Sequence, residues 1–306
     1  MVSMDFFFQI TCSCVYTGIC AANDSKGLFE ASSKFAKEKN TTDDDILAWF
    51  RDGNGRNSLH FASNFGYPDL CRKIVEKSPT SLEVRDREGG TALYLATLGA
   101  NPQVIQTLLE LGADMNTTRG DGDFPLRLAT RNDYDDIVGM FCERGVKLSL
   151  FNGDDSPLHQ GAKHDARKAL DILVRYAADQ NKLSDLLSER NKENKTPMLV
   201  AAQCRQANAV RSLLETIASK EEDLSDRLVD QDELGLTPLH YVAAHGLVEC
   251  TDKMLSSRGG RKAALISDHD GALPLHVRAV PPMFCHEWIG IFLFYHSFSP
   301  DSWRHS

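Results

Sequence analysis

A short phrase returns seven times along this 306-residue chain: NSLHFAS at 57, TALYLAT at 91, FPLRLAT at 124, SPLHQGA at 156, TPMLVAA at 196, TPLHYVA at 237 and LPLHVRA at 273. Successive copies start 34, 33, 32, 40, 41 and 36 residues apart, a period that commits the chain to repeated supersecondary units rather than one irregular core. Each copy reads as the start of a helix. In the sixth, Thr237 stands where its hydroxyl can receive an amide left open at the helix start, and Pro238 takes the first helical position, where its missing N–H costs nothing. The apolar run that follows is too short to stand alone, since isolated helices below about 12 residues are marginal. Something must pack on every copy.

The rest of each unit says what does. Ahead of most copies lies Asp-x-x-Gly, at Asp52 with Gly55, Asp86 with Gly89, Asp232 with Gly235 and Asp268 with Gly271, and as the variant Asn191 with Asn194. These residue types tolerate the left-handed backbone that turns need. Leu59, Leu93, Leu126, Leu158, Met198, Leu239 and Leu275 share one register and are expected to face a common core. Ala62, Ala96, Ala129, Gly161 and Ala201 share another, where small side chains let helices approach closely. A second helix follows each first one, as in VIQTLLEL, ALDILVRY and AVRSLLET, with apolar residues at helical spacing. Each unit therefore carries two apolar faces and no core of its own, and stacking into a solenoid with a concave side buries both.

The phrase and its period resemble the ankyrin repeat, and TALYLATLGANPQVIQTLLELGADMN is the cleanest copy. The resemblance implies an all-α fold, an ankyrin-repeat solenoid of stacked helix-turn-helix units with projecting hairpin-like turns. On this reading residues 1–25 are an apolar N-terminal segment, signal-like or disordered, and 26–51 are N-terminal capping helices. The repeat domain is 52–280, with units starting near 52, 86, 119, 151, 191, 232 and 268 and the last one incomplete. An irregular apolar tail occupies 281–306.

The resemblance also implies a protein partner held on the concave side by three sets of positions. The turn tips are Asn54, Arg87, Glu88, Asp121, Asn152, Lys192, Glu193, Glu233 and His269. The positions just before Thr add Arg56, Asp123, Asp155, Lys195 and Leu236. The ends of the first helices add Asn64, Phe65, Leu98, Arg131, Asn132, Lys163, His164, Gln203 and His245. The third and fourth tips depart from the pattern, with Arg119 and Phe151 in place of the turn Asp and Asp154 in place of the turn Gly.

Histidine recurs in the phrase at His60, His159, His240 and His276, while Tyr94, Arg127 and Leu199 fill the same place in other copies. A position that accepts Tyr, Arg and Leu is structural, so no metal ligand is expected there. The sequence holds no phosphate loop, no dinucleotide fingerprint, no H-E-x-x-H and no G-x-S-x-G. An open solenoid also offers no deep water-excluding pocket, so the chain reads as a non-enzyme without cofactor, metal or small-molecule substrate.

Composition narrows the partner and the setting. A net charge of −9 and a pI near 5.6 remove the diffuse basic field that draws proteins to phosphate backbones, which excludes nucleic acid. Eight cysteines are scattered among the helical patterns with no C-x-x-C pair, which fits small core residues in a reducing compartment. A cytoplasmic location is expected; residues 1–22 would make the protein secreted if they acted as a signal peptide, but no Lys or Arg precedes Lys26. WIGIFLFY at 288–295 is far shorter than the roughly 20 residues a membrane span takes.

Three local features remain. LSDLL at 183–187 has the spacing of one helical face packing inward, and RGGRK at 258–262 reads as a solvated turn. The units that run longer than 33 residues place their extra length after the second helix, in NKLSDLLSERNKEN, SKEEDLSDRLVDQDE and SRGGRKAALISDHD. These insertions are either a second interaction edge or extra helix covering apolar surface. Two functions are compatible with the whole: a non-catalytic scaffold or adaptor, or the regulatory ankyrin arm of a larger polypeptide such as a membrane channel or kinase. Membrane association is expected only in the second case.

Overall fold

The computed structural model describes residues 18–39, 42, 46–47, 51–148, 155–219 and 225–277. The expectations for residues 1–17, for the tail at 281–306, and for Asn152, Phe151 and Asp154 lie outside these residues. The described elements are α and 3-10 helices joined by turns, in the order first helix, second helix, extended turn, repeated along the chain. This is an all-α ankyrin-repeat solenoid. Among the described residues no helix is long and apolar enough to cross a membrane.

The first helices are Ser58–Phe65, Ala92–Leu98, Pro125–Arg131, Pro157–Lys163, Pro197–Gln203, Pro238–Ala244 and Pro274–Val277. Their starts follow from the phrase. Asn57 Oδ1 receives the His60 amide at 3.1 Å, Ser156 Oγ the His159 amide at 3.3 Å, and the Thr91 and Thr196 hydroxyls the Tyr94 and Leu199 amides at 3.4 Å. In the sixth unit the His240 amide lies 3.0 Å from the Thr237 carbonyl, while the Thr237 hydroxyl meets His240 Nδ1 at 2.8 Å. The first six of these helices each lead into a residue in the left-handed region: Gly66, Ala100, Asp133, Asp165, Arg205 and Gly246 have φ of 81°, 51°, 54°, 57°, 62° and 67°. The second helices that follow are amphipathic, and Val104, Ile105, Leu108 and Leu109 form the buried face of the second one.

Stacking joins these faces into one core that runs from Cys20 to Ala263. Leu59, Leu93, Leu126, Leu158, Met198 and Leu239 are buried in it, and Ala62, Ala96, Ala129 and Ala201 are fully enclosed between helices. Gly161 holds the same place in the fourth unit because a Cβ there would stand 2.7 Å from Leu170 Cδ2. Leu275 departs from the expectation: it is 70% exposed. The residues that follow it, from 278 on, lie outside the described residues. Cys20, Cys71, Cys142 and Cys250 are buried free thiols and Cys204 is half-buried. Burial pushes Cys20, Cys71 and Cys142 up to about 12.

The N-terminal part carries more repeat character than the sequence reading gave it. Helical residues 18–21 lead through Asn23, with φ of 55°, into the helix Ser25–Lys39. The left-handed residue between two helices is the junction found in the later units. Tyr67 Oη donates to the Ala21 carbonyl at 3.0 Å and Lys73 Nζ to Ser25 Oγ at 3.1 Å, which docks this pair on the first full unit. Residues 18–25 are thus part of the stack rather than of a separate apolar segment.

The insertions resolve into covering helix. Leu183, Leu186 and Leu187 of the helix Leu183–Ser188 are buried, as is Leu228 of the 3-10 helix Ser225–Val229. RGGRK is a helix, Arg258–Ala263, rather than a solvated turn. Ser257 Oγ caps it by receiving the Gly260 amide at 3.0 Å, and Gly260 packs so tightly that a Cβ would fall 1.8 Å from the Met254 carbonyl oxygen. The second and third extra helices pack on each other, and Arg227 of one reaches Ser184 of the first insertion at 3.3 Å.

Candidate functional site

The turns between units project as tips, and one acidic or amide side chain organises each of five of them. Asp52 Oδ1 receives the amides of Asn54 and Arg56, both at 2.8 Å, and the Gly55 amide closes the turn on the Asp52 carbonyl at 2.9 Å. Asp86, Asn191, Asp232 and Asp268 do the same for their own tips at 2.7 to 3.1 Å. Burial alone would raise the Asp52 carboxyl, but the Arg56 guanidinium and the two tip amides outweigh it and hold Asp52 below the usual carboxylate range. The third tip keeps its shape without an Asp, because the Arg119 amide bonds the Asp123 carbonyl at 2.7 Å and Gly122 bonds back to Arg119 at 3.0 Å. Neighbouring tips are tied by single backbone bonds: Arg87 to Asn54 at 2.8 Å, Gly120 to Glu88 at 2.9 Å and His269 to Leu234 at 3.1 Å.

Behind the tips, the recurring histidines bridge one unit to the next. The Asn57, Ser156 and Thr237 amides donate to Nδ1 of His60, His159 and His240 at 3.1, 3.2 and 3.0 Å. The proton is therefore on Nε2, which donates to the carbonyls of Gly90, Lys195 and Ala272 at 3.1, 2.8 and 3.2 Å. Burial holds all three imidazoles below their usual pKa, that of His60 at about 4. Both ring nitrogens are occupied by scaffold bonds. His276 keeps the first bond, from the Leu273 amide at 3.1 Å, and is exposed.

A second ladder was missed in the sequence. Arg51, Arg85, Arg190 and Gln231, each one residue before a tip Asp or Asn, donate to the carbonyls of Arg85, Thr118, Gln231 and Ser267 at 3.0, 2.7, 2.9 and 3.2 Å. The signal was the recurrence of Arg ahead of the turn residue.

Around this scaffold the expected contact positions fall into three groups. Asn54, Asn64, Phe65, Arg87, Glu88, Leu98, Asp121, Asn132, Lys163, His164, Lys192, Glu193, Glu233 and His269 are exposed. Arg56, Arg131, Asp155, Lys195, Gln203, Leu236 and His245 are half-buried. Several of them are engaged within the chain: Arg56 pairs with Asp52 at 2.7 Å, Lys195 with Glu193 at 2.7 Å, and Asp155 receives Gln160 at 3.0 Å and Asn191 at 2.7 Å.

Asp123 corrects the expectation. It is buried at 6% exposure, receives the Tyr94 hydroxyl at 2.9 Å, and faces Arg127 at 3.5 Å and Arg131 at 3.4 Å. Arg119 completes the cluster, stacking 4.8 Å over the Tyr94 ring, donating to its hydroxyl at 3.0 Å and pairing with Glu88. Asp123 is a buried hub rather than a contact residue.

The ends of the first helices form a continuous row beside the tips. Asn101 Nδ2 donates to the Ser63 and Asn64 carbonyls at 3.0 Å, Gln206 Nε2 to Lys163 at 2.9 Å and His245 Nε2 to Gln203 at 3.0 Å. Arg205, on the same row and exposed, escaped the sequence reading because it stands one residue beyond the register used. At one end Phe65 and Leu98 are 41% and 51% exposed, and Phe65 stacks on Phe61 with centroids 6.4 Å apart.

Comparisons with known proteins bear on this architecture. The family described as ankyrin repeats, in three copies, matches residues 19–119 and so begins within the N-terminal helix pair. The chain is similar to human transient receptor potential cation channel subfamily A member 1, with 26% identity over 233 residues, 74% of this chain and 19% of that one. It is also similar to ankyrin repeat protein nuc-2 of Neurospora crassa, with 27% identity over 234 residues, 76% of this chain and 20% of that one. The chain therefore spans about a fifth of the length of these curated relatives. Among solved structures, the ankyrin repeat domain of Bcl-3 superposes with a TM-score of 0.62 over 78% of this chain and 97% of that one, at 17% identity, which is a likeness of fold.

Proposed function

Because the chain belongs to the ankyrin-repeat proteins, whose repeat domains are generally protein–protein interaction modules, we propose that it is a non-catalytic scaffold or adaptor in the cytoplasm. It holds a partner protein on the concave face formed by the tips and the first helices. The observation that carries this reading is the division of labour at the tips. Turn shape is set by backbone bonds and, in five units, by one Asp or Asn, so the exposed side chains of Asn54, Arg87, Glu233 and His269 are not what shapes the turns. Such positions vary without disturbing the core, which is what a recognition surface requires.

The test is a triple variant, Arg87→Ala, Lys192→Ala and Glu233→Ala, compared with Ser184→Ala and Asp185→Ala on the insertion edge. Deleting an insertion would be a poor control, since it would uncover Leu183, Leu186 and Leu187. Partners found by affinity capture should be lost or weakened by the tip variant, with thermal stability changed by no more than about 0.5 kcal/mol per site. Capture that survives the tip variant and fails in the edge variant moves the binding surface to the insertions.

A second reading, the regulatory arm of a larger polypeptide, is favoured by one observation: the matched stretch is 19% of a cation channel and 20% of a second long protein. Full-length transcript sequencing decides it. A reading frame that continues past Ser306 into membrane helices or a kinase domain supports the arm, and a stop codon there removes it.

A further inference from the structure

The insertion edge holds a guanidinium without a carboxylate. Leu183, Leu186 and Leu187 fix the first extra helix to the stack, and Leu228 fixes the 3-10 helix Ser225–Val229, so the backbone is anchored on both sides of the seam between them. Two arginines cross that seam in opposite directions. Arg190 is well supplied: it donates to the Asn194 and Gln231 carbonyls at 2.7 and 2.9 Å and stands 3.6 Å from Asp230. Arg227 is not. It is half-buried, its Nη2 donates to the Ser184 hydroxyl at 3.3 Å, and its buried Nε has no acceptor. Among the described residues no carboxylate pairs with it. A cation drawn partly out of water with a buried donor left open is costly, and one long bond to a neutral hydroxyl does little against that.

Nε and Nη2 form the side edge of a guanidinium, which can grip two oxygens of a carboxylate or phosphate at once. Ser184 Oγ already touches one atom of that edge. Ser184 is exposed because Leu183, Leu186 and Leu187 take the inward side of its helix. Ser188, the other hydroxyl of the same helix, is turned back on it: its Oγ donates to the Ser184 and Asp185 carbonyls at 2.8 and 2.9 Å. The surrounding charges are balanced. Asp185 stands beside Ser184 and opposes a further negative group, Lys182 is exposed two residues before it, and Asp230 faces Arg190. An anion carried on Ser184 Oγ would supply what Arg227 lacks.

We propose that Ser184 is a phosphorylation site and that Arg227 grips the product. A protein kinase transfers the γ-phosphoryl group of ATP: the bond from Ser184 Oγ to the γ-phosphorus forms, the bond from that phosphorus to the β,γ-bridging oxygen breaks, ADP leaves with the electron pair, and the hydroxyl proton goes to the kinase's base. The phosphoryl oxygens then accept from Arg227 Nε and Nη2 together. This closes the open donor and ties the extra helix of the fourth unit to the 3-10 helix of the fifth. Because that 3-10 helix packs on the helix Arg258–Ala263, the three insertions become one stiffened layer along the edge of the stack.

Lys182 and Arg190 bound the tryptic peptide LSDLLSER, residues 183–190, in which Ser184 and Ser188 are the two hydroxyls. Full chain purified from eukaryotic cells under phosphatase inhibition should carry phosphate on this peptide, and fragment ions should place it on Ser184. Full chain made with phosphoserine in place of Ser184 should exchange its amide hydrogens at 225–230 roughly tenfold more slowly than the parent. Arg227→Gln should abolish that slowing, and Arg227→Lys, which offers no fork, should keep only part of it. Without phosphate, Arg227→Gln should melt within a few degrees of the parent, so that lost slowing reports the pair and not unfolding.

Absence of phosphate from LSDLLSER, or phosphate on Ser188 alone, overturns the proposal. So does phosphoserine that leaves exchange at 225–230 unchanged or speeds it, and so does slowing that persists in Arg227→Gln. The concave-face reading stands or falls separately, on the tip variants.

Discussion

Mild acid should loosen the stack through its buried histidines, and His60 allows the size to be worked out. In the folded chain its Nδ1 accepts from the Asn57 amide and its Nε2–H donates to the Gly90 carbonyl, so protonation at Nδ1 would break the cap bond from Asn57 inside the core and leave a buried charge. Burial holds its pKa at about 4, against an ordinary value of 6.5. Between these values the unfolded chain binds the proton and the folded chain does not, so stability rises with pH in this window and is lost as pH falls from 6.5 toward 4. A gap of that width corresponds to about 3 kcal/mol when fully expressed, and to about 2 kcal/mol by pH 5. Glu189 works in the opposite direction: burial pushes its carboxyl up to about 7, so its penalty is present above that pH and is relieved as pH falls. The comparison that isolates His60 is therefore between the parent and His60→Gln, followed by urea unfolding and helical circular dichroism from pH 7 to pH 5. The variant should be less stable at pH 7 by about 1 kcal/mol, the scale of one bridging bond, but should lose about 2 kcal/mol less than the parent on acidification. Parallel stability curves for the two proteins would refute the argument.

Two further perturbations test the packing. Leu126→Ala, at a position with 0% exposure in the middle of the stack, should cost about 2–5 kcal/mol. Hydrogen exchange should then show protection lost in the units on either side as well as within 124–148, as nearest-neighbour coupling requires, and loss confined to its own unit would contradict a cooperative stack. Gly161→Ala would put a methyl 2.7 Å from Leu170 Cδ2 and 3.1 Å from Thr130 Cγ2. Overpacking of about 1–3 kcal/mol should outweigh the gain of about 1 kcal/mol in helix propensity, for a net loss near 1 kcal/mol, and a more stable variant would show that the junction has slack.

The parts of the fold legible in the sequence were those fixed within one unit. The Leu register, the small residues opposite it, the proline starts and the turn Asp are short-range patterns, and, Leu275 apart, each stands where its period put it. What escaped was set between units. Asn23 gave no phrase to recognise, so the first helix of the pair it joins was placed in the apolar segment and the second among capping helices, although its left-handed backbone marks the same junction as Asp133 and Asp165. RGGRK read as a solvated turn because it is a short basic run, but the absence of a side chain at Gly260 lets its backbone approach Met254. The burial of Asp123 depends on Tyr94, 29 residues earlier, a pairing that only the stack creates.

That last pairing explains why one contact position is lost from the face while its counterparts keep theirs. At His60, His159 and His240, Nε2 reaches the residue just before the Thr position of the next unit through its backbone carbonyl, at Gly90, Lys195 and Ala272. A carbonyl is supplied by any residue, so this bridge places no demand on the side chain, and Gly, Lys and Ala all serve. Tyr94 bridges to the same position in the third unit, but its hydroxyl finds the carboxylate of Asp123 instead. The side chain is then part of the scaffold. A carboxylate drawn inside needs positive charge around it, and Arg127 and Arg131 approach it at 3.5 and 3.4 Å while Arg119 braces Tyr94 from the other side. One exchange of histidine for tyrosine thus converts a variable surface position into a fixed buried one and draws three arginines toward it. The third unit is therefore the least free to vary, and recognition that changes from one partner to another would be written in the tips and helix ends on either side of it.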